Sequence, residues 1–187
     1  MLPEIETARL RLRAFTSEDL EAFAALRADA DVMRYIGLGG GHGPQTREVA
    51  AGWLERNERR WREYGLGMWA VVEREGDGEL LGWCGLGRLE DTETIEVGYG
   101  LAPRAWGRGI ATEAARASVR FGFEELALPR VVAVAYPDNA ASRRVMEKLG
   151  MRYVRNETHY GQDCVYYLIT REEFKPREGF YAVREQL

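Results

Sequence analysis

The sequence of 187 residues has few of the features that mark several common classes of protein. It contains two cysteines and two histidines, and Cys84 and Cys164 lie in separate apolar stretches with no CxxC pair or Cys/His cluster. No ligand set for zinc is present, so we expect no metal site and two reduced, buried thiols. A covalent route through either thiol is disfavoured, because nothing in the spacing pairs a histidine with a cysteine.

Long apolar runs and an excess of positive charge are also missing. No stretch approaches the roughly 20 apolar residues of a membrane span, and the N-terminus lacks the basic-then-apolar pattern of a signal peptide. The formal net charge of −4 leaves no basic surplus to neutralise nucleic-acid phosphates. We therefore expect a soluble, cytoplasmic protein whose main partner is neither a membrane nor a nucleic acid.

What the chain does have is the composition of a globular domain. Hydrophobic residues make up 45% of it, and no repeat or linker interrupts it. We therefore expect a single domain over 1–187, in which 174–187 form a C-terminal extension. Periodicities follow the order β-α-α-β-β-β-α-β-α-β-β, which predicts an α/β fold with a mixed sheet. The extension carries Phe174, Phe180 and Tyr181, which either pack on the domain or contact a second subunit of a homodimer.

The stretch 96–112, EVGYGLAPRAWGRGIAT, places four glycines where a strand passes into a helix. Alternate residues of a strand share a face, so Glu96, Gly98 and Gly100 point one way and the residues between them point the other. One face is thus a carboxylate followed by two positions without side chains. This pattern favours close approach of another molecule, or a bulge that splays the strand from its neighbour. Glycines tolerated only for packing or twist are the alternative.

The loop that opens the following helix contains Gly107 and Gly109. A glycine loop that directs backbone N–H groups toward a helix N-terminus can hold an anion, and Arg104 and Arg108 add positive charge there. A Walker loop is excluded because no Gly-Lys-Ser/Thr triplet is present. The dinucleotide fingerprint also fails, because Thr112 occupies its last small position and no acidic residue lies near position 130.

The segment RAWGRG fits the pattern Q/R-x-x-G-x-G/A, which binds the pyrophosphate of acetyl-CoA in the GNAT superfamily of N-acetyltransferases. The blocks ARLRLRAFTSEDLEAF, LGWCGL and PDNAASRRVMEKLGM resemble, in the same order, those of the RimJ/RimL-like branch. The resemblance covers nearly the whole chain. It implies a single GNAT-like domain with a mixed central β-sheet flanked by helices on both faces and a splayed strand pair at the cofactor site.

The resemblance also implies that acetyl-CoA is the co-substrate and that no metal takes part. The pantetheine arm is expected to pair with the strand at Tyr99 and Leu101, while Gly98 and Gly100 leave clearance. Asn139 and Ser142 are expected to contact the pantetheine from a helix start, with ordinary N-capping as the alternative. The pyrophosphate is expected on the backbone of one continuous stretch, namely Arg104, Trp106, Gly107, Arg108, Gly109, Ile110, Ala111 and Thr112.

In such an enzyme a neutral amine attacks the acetyl thioester directly. Deprotonation at pH 7 costs roughly 1.4 kcal/mol for an α-amine and about 4.6 kcal/mol for a lysine. Glu96 is the candidate base, acting through a water, and the alternative is a strand carboxylate paired with an arginine. A backbone N–H near Gly98 or Tyr99 is the candidate oxyanion donor. Met146 occupies the position at which many GNAT enzymes have a tyrosine that acts as general acid. Ser142 or solvent is therefore the candidate proton donor to the departing thiolate of CoA.

The expected function is therefore acetyl transfer to a primary amine, the N-terminal α-amine of a ribosomal or other protein. The same chemistry on a small-molecule amine and a non-catalytic acyl-CoA-binding module are the alternatives. Trp53, Trp61 and Trp69 either border an aromatic acceptor pocket or pack in the core. His42 either contacts the acceptor or lies on the surface.

Overall fold

A computed structural model of the protein describes residues 2–36, 43–90, 92–176 and 179–185. Its strands and helices alternate along the chain much as the periodicities predict. The strands are β1 Pro3–Thr7, β2 Leu10–Arg13, β3 Met68–Glu73, β4 Leu80–Arg88, β5 Ile95–Leu101, β6 Arg130–Ala135, β7 Arg152–His159, β8 Gln162–Thr170 and β9 Tyr181–Glu185. The helices are α1 Leu20–Ala28, α2 Ala30–Met33, α3 Arg47–Tyr64, α4 Ile110–Glu124 and α5 Ala140–Leu149.

The strands of the described residues form one nine-stranded sheet in the order β7-β8-β6-β5-β4-β3-β2-β1-β9. Of the neighbouring strand pairs in this sheet, β5 and β6 run parallel and the others are antiparallel. The sheet is therefore mixed. Among the helices of the described residues, none combines the length and apolar character needed to cross a bilayer.

Separate apolar clusters cover the two faces of the sheet. On one face, α4 packs its buried positions against Trp69, Val71 and Leu81. On the other, α1 and α3 pack against Ala70, Leu80 and Trp83. Along β3 the alternation of side chains separates Trp69 and Val71 from Ala70. In β4, Leu81 and Trp83 lie in different layers although they are two residues apart, because the register with β3 shifts there: Val71 lies opposite Gly82 and Val72 opposite Leu80. The predicted α/β fold, with helices on both faces, is confirmed.

The pairing of β5 with β6 is confined to a single position, where Glu96 lies opposite Val132. Beyond it the two strands diverge, while β5 stays paired with β4 along its whole length. The edge of β5 at 97–101 is therefore left without a strand partner in the described part of the chain. This is the splayed pair that the sequence predicts, and it opens a gap at the centre of the sheet.

Several element boundaries differ from the sequence expectations. Strands β1 and β9 and the short helix α2 were not predicted, and β9 extends the sheet by pairing with β1. Helix α3 begins at Arg47, and Thr46 is its N-cap and accepts a hydrogen bond from the Val49 N–H. Gly150, with φ of +89°, caps the C-terminal end of α5.

The aromatic residues of the C-terminal extension pack on the rest of the fold. The Phe174 and Phe123 ring centroids lie 5.2 Å apart, and the Arg120 guanidinium lies 4.0 Å from the centre of the Tyr181 ring. Phe180 lies beneath Arg74 in the same way, at 4.9 Å. Of the two alternatives for these residues, packing on the domain is observed, and the homodimer stays a prediction.

Candidate active site

The gap between β5 and β6 opens into a cleft with a volume of about 1140 Å³. Its walls come from β5, the start of α4, α5, the turn between β7 and β8, and the helices α1 and α3. Eleven of the sequence-predicted cofactor residues line this cleft: Gly98, Tyr99, Leu101, Trp106, Gly107, Gly109, Ile110, Ala111, Thr112, Asn139 and Ser142. Arg104 and Arg108 do not.

Glu96 lies at the point where the two strands begin to diverge, and its side chain lines the cleft. Burial raises the pKa of the Glu96 carboxyl from its usual range to about 7, although a hydrogen bond from Tyr160 and the charge of Arg60 oppose that rise. A carboxyl with this pKa can exchange a proton near neutral pH. The arginine ion pair offered as the alternative role for Glu96 is not formed among the described residues.

Tyr160 is the partner of Glu96, and sequence analysis missed it. Its phenol donates a hydrogen bond of 2.5 Å to Glu96 Oε1 from the turn between β7 and β8. Burial, followed by the charge of Glu96, raises the pKa of the phenol and keeps it protonated. The two residues are 64 positions apart in the sequence, which explains why no local pattern links them.

A small network fixes that turn. Glu90 Oε1 accepts a hydrogen bond of 2.7 Å from the Tyr160 N–H, and the Glu90 N–H donates one of 3.2 Å to the Tyr160 phenol oxygen. His159 lies between two carboxylates, with Nδ1 3.0 Å from Glu90 and Nε2 3.0 Å from Glu157. Glu90 and Tyr160 both have positive φ, 55° and 53°, which is costly for residues with a Cβ. Reciprocal bonds thus hold two strained residues so that the phenol meets Glu96.

At the other end of β5, the backbone turns through a 3₁₀ helix at Pro103–Ala105 and enters α4 at Ile110. Gly107 and Gly109 adopt φ of +70° and +76°, which favours glycine. The first helical bond of α4 is donated by the Glu113 N–H to Gly109 O at 3.1 Å, so the N–H groups of 110–112 have no acceptor within the helix. Their dipoles and open N–H groups form a cradle suited to an anion.

The two arginines expected to add charge to this cradle are engaged elsewhere. Arg104 donates to Leu80 O at 2.7 Å and pairs with Glu79 at 2.9 Å. Arg108 pairs with Glu73 at 2.7 Å. Their guanidinium groups therefore lie outside the cleft, held by acceptors on neighbouring strands, and the added positive charge at a phosphate stays a prediction. Arg108 O also accepts a hydrogen bond of 2.9 Å from Arg9 Nη1.

The cations that do line the cleft beside the cradle come from α5. Arg144 and Lys148 are exposed, and neither forms an ion pair with any residue in the described ranges. They lie one helical turn apart and so share a face of α5. Sequence analysis missed them because two charged residues on an exposed helix face carry no distinguishing signal.

Across the gap from β5, α5 presents Asn139 and Ser142. Asn139 Oδ1 caps the helix by accepting a hydrogen bond of 3.1 Å from the Ser142 N–H, so the capping role is observed together with the position in the cleft. The Ser142 hydroxyl lies 2.8 Å from the Tyr99 phenol oxygen, and burial raises the pKa of that phenol. Met146 is buried in the cleft wall, where many GNAT enzymes have a tyrosine.

The glycine face of β5 is not open space. A Cβ at Gly100 would lie 2.3 Å from Trp83 Cζ2 and 2.7 Å from Ile36 Cδ1, and one at Gly98 would lie 3.1 Å from the Met68 methyl carbon. We expected Gly100 to leave space for the pantetheine arm. The space left by its missing side chain is instead filled by the Trp83 ring. Both glycines still line the cleft through their backbone.

Of the three tryptophans considered for an acceptor pocket, one lines the cleft and two pack in the core. Trp53 lines the cleft, whereas Trp69 is fully buried and packs edge-on against Trp61, with ring centroids 4.8 Å apart. Trp61 and Trp69 are core residues, and Trp83 is the pocket tryptophan that sequence analysis missed. His42 lies outside the described residues.

Neither cysteine is a candidate nucleophile. Burial raises the pKa of the Cys84 thiol to about 12, and its sulfur lies 3.4 Å from Ser118 Oγ in the core beneath β4. The Cys164 thiol is also buried, and its pKa is raised. Neither side chain lines the cleft.

The geometry of a splayed strand, an anion cradle and a buried carboxylate can be compared with known proteins. The model of the family described as Acetyltransferase (GNAT) domain matches residues 9–152. The chain belongs to the GNAT family of acetyltransferases. The curated "Uncharacterized N-acetyltransferase YoaA" of Bacillus subtilis is 33% identical to this GNAT chain over 95% of it and 100% of that protein.

Solved structures agree with this assignment. A GNAT-family acetyltransferase from Bacillus anthracis superposes with a TM-score of 0.76 and 32% identity, covering 91% of this chain and 99% of that one. RimJ of Mycobacterium smegmatis, solved with CoA-disulfide, shares the fold with a TM-score of 0.77 at 20% identity, covering 92% and 91%. The predicted resemblance to the RimJ/RimL-like branch is thereby supported at the level of the fold.

These findings make the protein an N-acetyltransferase with the GNAT fold. GNAT acetyltransferases take acetyl-CoA and an amine acceptor, which gives the cleft two ligands to hold. The backbone cradle and the edge of β5 suit the pyrophosphate and pantetheine of the first. The cleft also extends toward α1 and α3, beyond the cradle and the edge of β5.

Proposed function

We propose that this GNAT enzyme transfers the acetyl group of acetyl-CoA to the α-amine of a protein or peptide N-terminus, with Glu96 as the general base. The observation that carries the proposal is the position of Glu96 at the start of the strand divergence, with a pKa of about 7. A base of this strength is about 1 pKa unit below an α-amine but about 3.4 units below a lysine. The match favours an α-amine as the acceptor.

Acetyl-CoA would lie in the gap, with its pantetheine along the unpaired edge of β5. The N–H groups around Gly107 and Gly109 would hold the pyrophosphate, since positive φ at both glycines turns successive amides toward one side. Arg144 and Lys148 would add positive charge on the α5 side. In this proposed arrangement the thioester would lie between Glu96 on β5 and Ser142 on α5.

In the chemical step, the amine loses a proton to Glu96 as it attacks the thioester carbonyl carbon. Unpaired N–H groups on the free edge of β5 are placed to stabilise the oxyanion that forms. As the intermediate collapses, the carbon–sulfur bond breaks and the departing thiolate takes a proton relayed through the Ser142 hydroxyl, which regains a proton from solvent in the same step and which Tyr99 supports at 2.8 Å. The proton bound to Glu96 then returns to solvent.

The test compares Glu96→Gln with wild type on a panel of amines, with labelled acetyl-CoA and mass spectrometry of the products. Loss of the base is expected to lower turnover about 10²- to 10⁴-fold. CoA affinity, measured by calorimetry, should change by less than about 3-fold, because the amide keeps the size of the side chain. A peptide with a free α-amine should be a better acceptor than an N-terminally blocked peptide that contains lysine.

Glu93→Gln is the matched control, since Glu93 lies three residues earlier, is exposed and pairs with Arg88. It should turn over like wild type. Full activity of Glu96→Gln would remove Glu96 from the mechanism. Tight CoA binding with no acetylation of any amine in the panel would instead favour a non-catalytic acyl-CoA-binding protein.

A further inference from the structure

The part of the cleft that faces α1 and α3 contains a buried arginine. Arg27, near the end of α1, is only 6% exposed and yet lines the cleft. Its guanidinium carbon lies 5.3 Å from the centre of the Trp83 ring and 5.6 Å from that of Trp53. We name this region, formed by Arg27, Trp53, Trp83 and Ile36, the aromatic pocket.

The charge of Arg27 is not neutralised in the described part of the chain. Its Nε and Nη2 atoms both donate to Gln45 Oε1, at 3.0 and 2.7 Å, and that acceptor is an uncharged amide. Its Nη1 has no hydrogen-bond partner in the described ranges. Residues 37–42, which the structure does not describe, include no acidic residue in the sequence.

The surroundings of Arg27 make its charge costly. Burial, followed by the nearby charge of Arg56, lowers the pKa of the guanidinium to about 10. Arg56 also lines the cleft, and it forms no ion pair with a described residue. Buried charges in proteins are ordinarily paired. The cleft is also lined by Asp31, Glu90 and Glu96, but none of these carboxylates forms an ion pair with Arg27 or Arg56 in the described residues. The two arginines therefore leave a site for an anion from outside the chain.

Arg13 shows what this fold does with a partly buried arginine that has only a structural role. Its Nη1 and Nη2 donate to the two oxygens of Asp19 at 2.7 and 2.8 Å, in the bidentate geometry of a stable ion pair. The Asp19 carboxylate in turn caps the 3₁₀ turn through the Thr16 N–H. Arg27 lacks such a partner although it is more deeply buried.

The aromatic pocket is connected to the proposed base along one face of β5. Trp83 packs on Gly100, and Gly100 shares a face with Glu96 four residues earlier. Four residues of extended strand span about 13 Å. An acceptor whose amine lies beside Glu96 could therefore contact Arg27 through a second group that is on the order of 10 Å from the amine. This distance is about the span of a tripeptide.

We propose that Arg27, with Arg56 beside it, binds a carboxylate or phosphate carried by the amine acceptor, so that the enzyme prefers anionic amines. This inference rests on the proposed function, because it assigns the acceptor of that reaction. A structural role for Arg27, holding Gln45 and stacking on the rings, would instead affect all acceptors equally. The distinction lies in the charge of the substrate.

The test uses peptides with an N-terminal alanine and an amidated C-terminus, in which one residue at position 2, 3 or 4 is either Asp or Asn. For wild type we expect kcat/KM for the Asp peptide to exceed that for its Asn partner about 10- to 100-fold at one position, the usual range for a charged hydrogen bond. Arg27→Met should reduce this ratio to near one, and Arg27→Lys should retain part of it.

Arg47→Met is the control variant, because Arg47 is exposed on α3, pairs with Glu21 and does not line the cleft. It should keep the wild-type ratio. Ratios near one at all three positions, on peptides that are acetylated, overturn the proposal and leave the proposed function intact. A loss of rate in Arg27→Met that is equal for Asp and Asn peptides also overturns it, because that is the pattern of a structural role.

A second measurement does not depend on turnover. Sulfate is titrated into protein saturated with CoA, at constant ionic strength, and the fluorescence of the tryptophans beside Arg27 is followed. A saturable change in wild type that is absent from Arg27→Met supports the anion site, and the same response in both overturns it. If no amine is acetylated by wild type, the proposed function fails, while this titration still decides whether Arg27 binds an anion.

Discussion

The two halves of the cleft are built in different ways. The cofactor half is formed largely by one continuous stretch, 98–112, whose backbone supplies an unpaired strand edge and a helix N-terminus. The acceptor half is formed by side chains from α1, α3, β4 and the β7–β8 turn, among them Arg27, Trp53, Trp83 and Tyr160. The first half needs particular backbone dihedrals, and the second needs particular side chains that only the tertiary fold brings together.

The largest effect is expected in the backbone-built half. Gly107→Val and Gly109→Val each place a β-branched residue at φ of +70° or +76°, which L-residues rarely adopt, so the amides must turn away from the anion. We expect CoA affinity, measured by calorimetry, to fall more than about 100-fold, the equivalent of two pKd units.

Gly65→Val provides the matched control, since Gly65 also has positive φ, +64°, at the end of α3 and does not line the cleft. It should cost stability in a thermal unfolding experiment but leave CoA affinity unchanged. Wild-type affinity in Gly107→Val and Gly109→Val would show that the cradle does not bind the cofactor.

The same contrast explains what the sequence could predict. The fold class, the splayed strand pair and the positions of Gly107 and Gly109 are readable, because period, glycine placement and helix capping are local properties of the chain. Eleven of the thirteen expected cofactor residues line the cleft for this reason. Backbone sites leave a contiguous trace in the sequence.

The partners of individual side chains cannot be predicted from local sequence patterns in this way. Arg104 and Arg108 were expected at the phosphate, but Glu79 and Glu73 compete for them from neighbouring strands and turns. Tyr160 meets Glu96 only because β7 and β8 bring their turn back beside β5. An isolated tyrosine in a hairpin turn carries no signal for that contact, and neither does an arginine at the end of α1.

An intermediate effect is expected where the side-chain-built half touches the base. The Tyr160 hydrogen bond lowers the pKa of Glu96 against the rise caused by burial, so Tyr160→Phe should move that pKa above about 7. Glu96 must be ionised to accept a proton, and the acid limb of the pH–rate profile should therefore shift to higher pH. Loss of this charged hydrogen bond should raise the pKa of Glu96 by about 1–2 units. The ionised fraction of Glu96 at pH 7, and with it kcat/KM, would then fall roughly 5- to 50-fold.

The rate of Tyr160→Phe should recover as the pH is raised toward 9, because Glu96 then ionises without help. Tyr64→Phe is a matched control, as Tyr64 is exposed at the end of α3 and stacks with Arg88 outside the base network. A uniform loss of rate at every pH would contradict a role through the pKa of Glu96 and would assign Tyr160 a purely structural part.

The smallest effect on CoA affinity should come from the charged residues around the cradle. We expect Lys148 to contribute more than Arg104, whereas the sequence predicts that Arg104 adds the positive charge. Lys148 lines the cleft and has no ion-pair partner among the described residues, whereas Arg104 is held by Leu80 O and Glu79. An exposed charge near a phosphate contributes about 0.5–1 kcal/mol, so Lys148→Met should weaken CoA binding about 2- to 5-fold. The loss should shrink at high salt, because screening acts on exposed charges.

Arg104→Met should leave CoA affinity within about 2-fold of wild type, since its guanidinium does not face the cleft. Titrations of both variants at low and high salt decide between the two placements of positive charge. A larger, salt-dependent loss in Arg104→Met than in Lys148→Met would mean that Arg104 leaves Glu79 when CoA binds. In that case the cofactor half would also depend on side chains, and the contrast with the acceptor half would be one of degree.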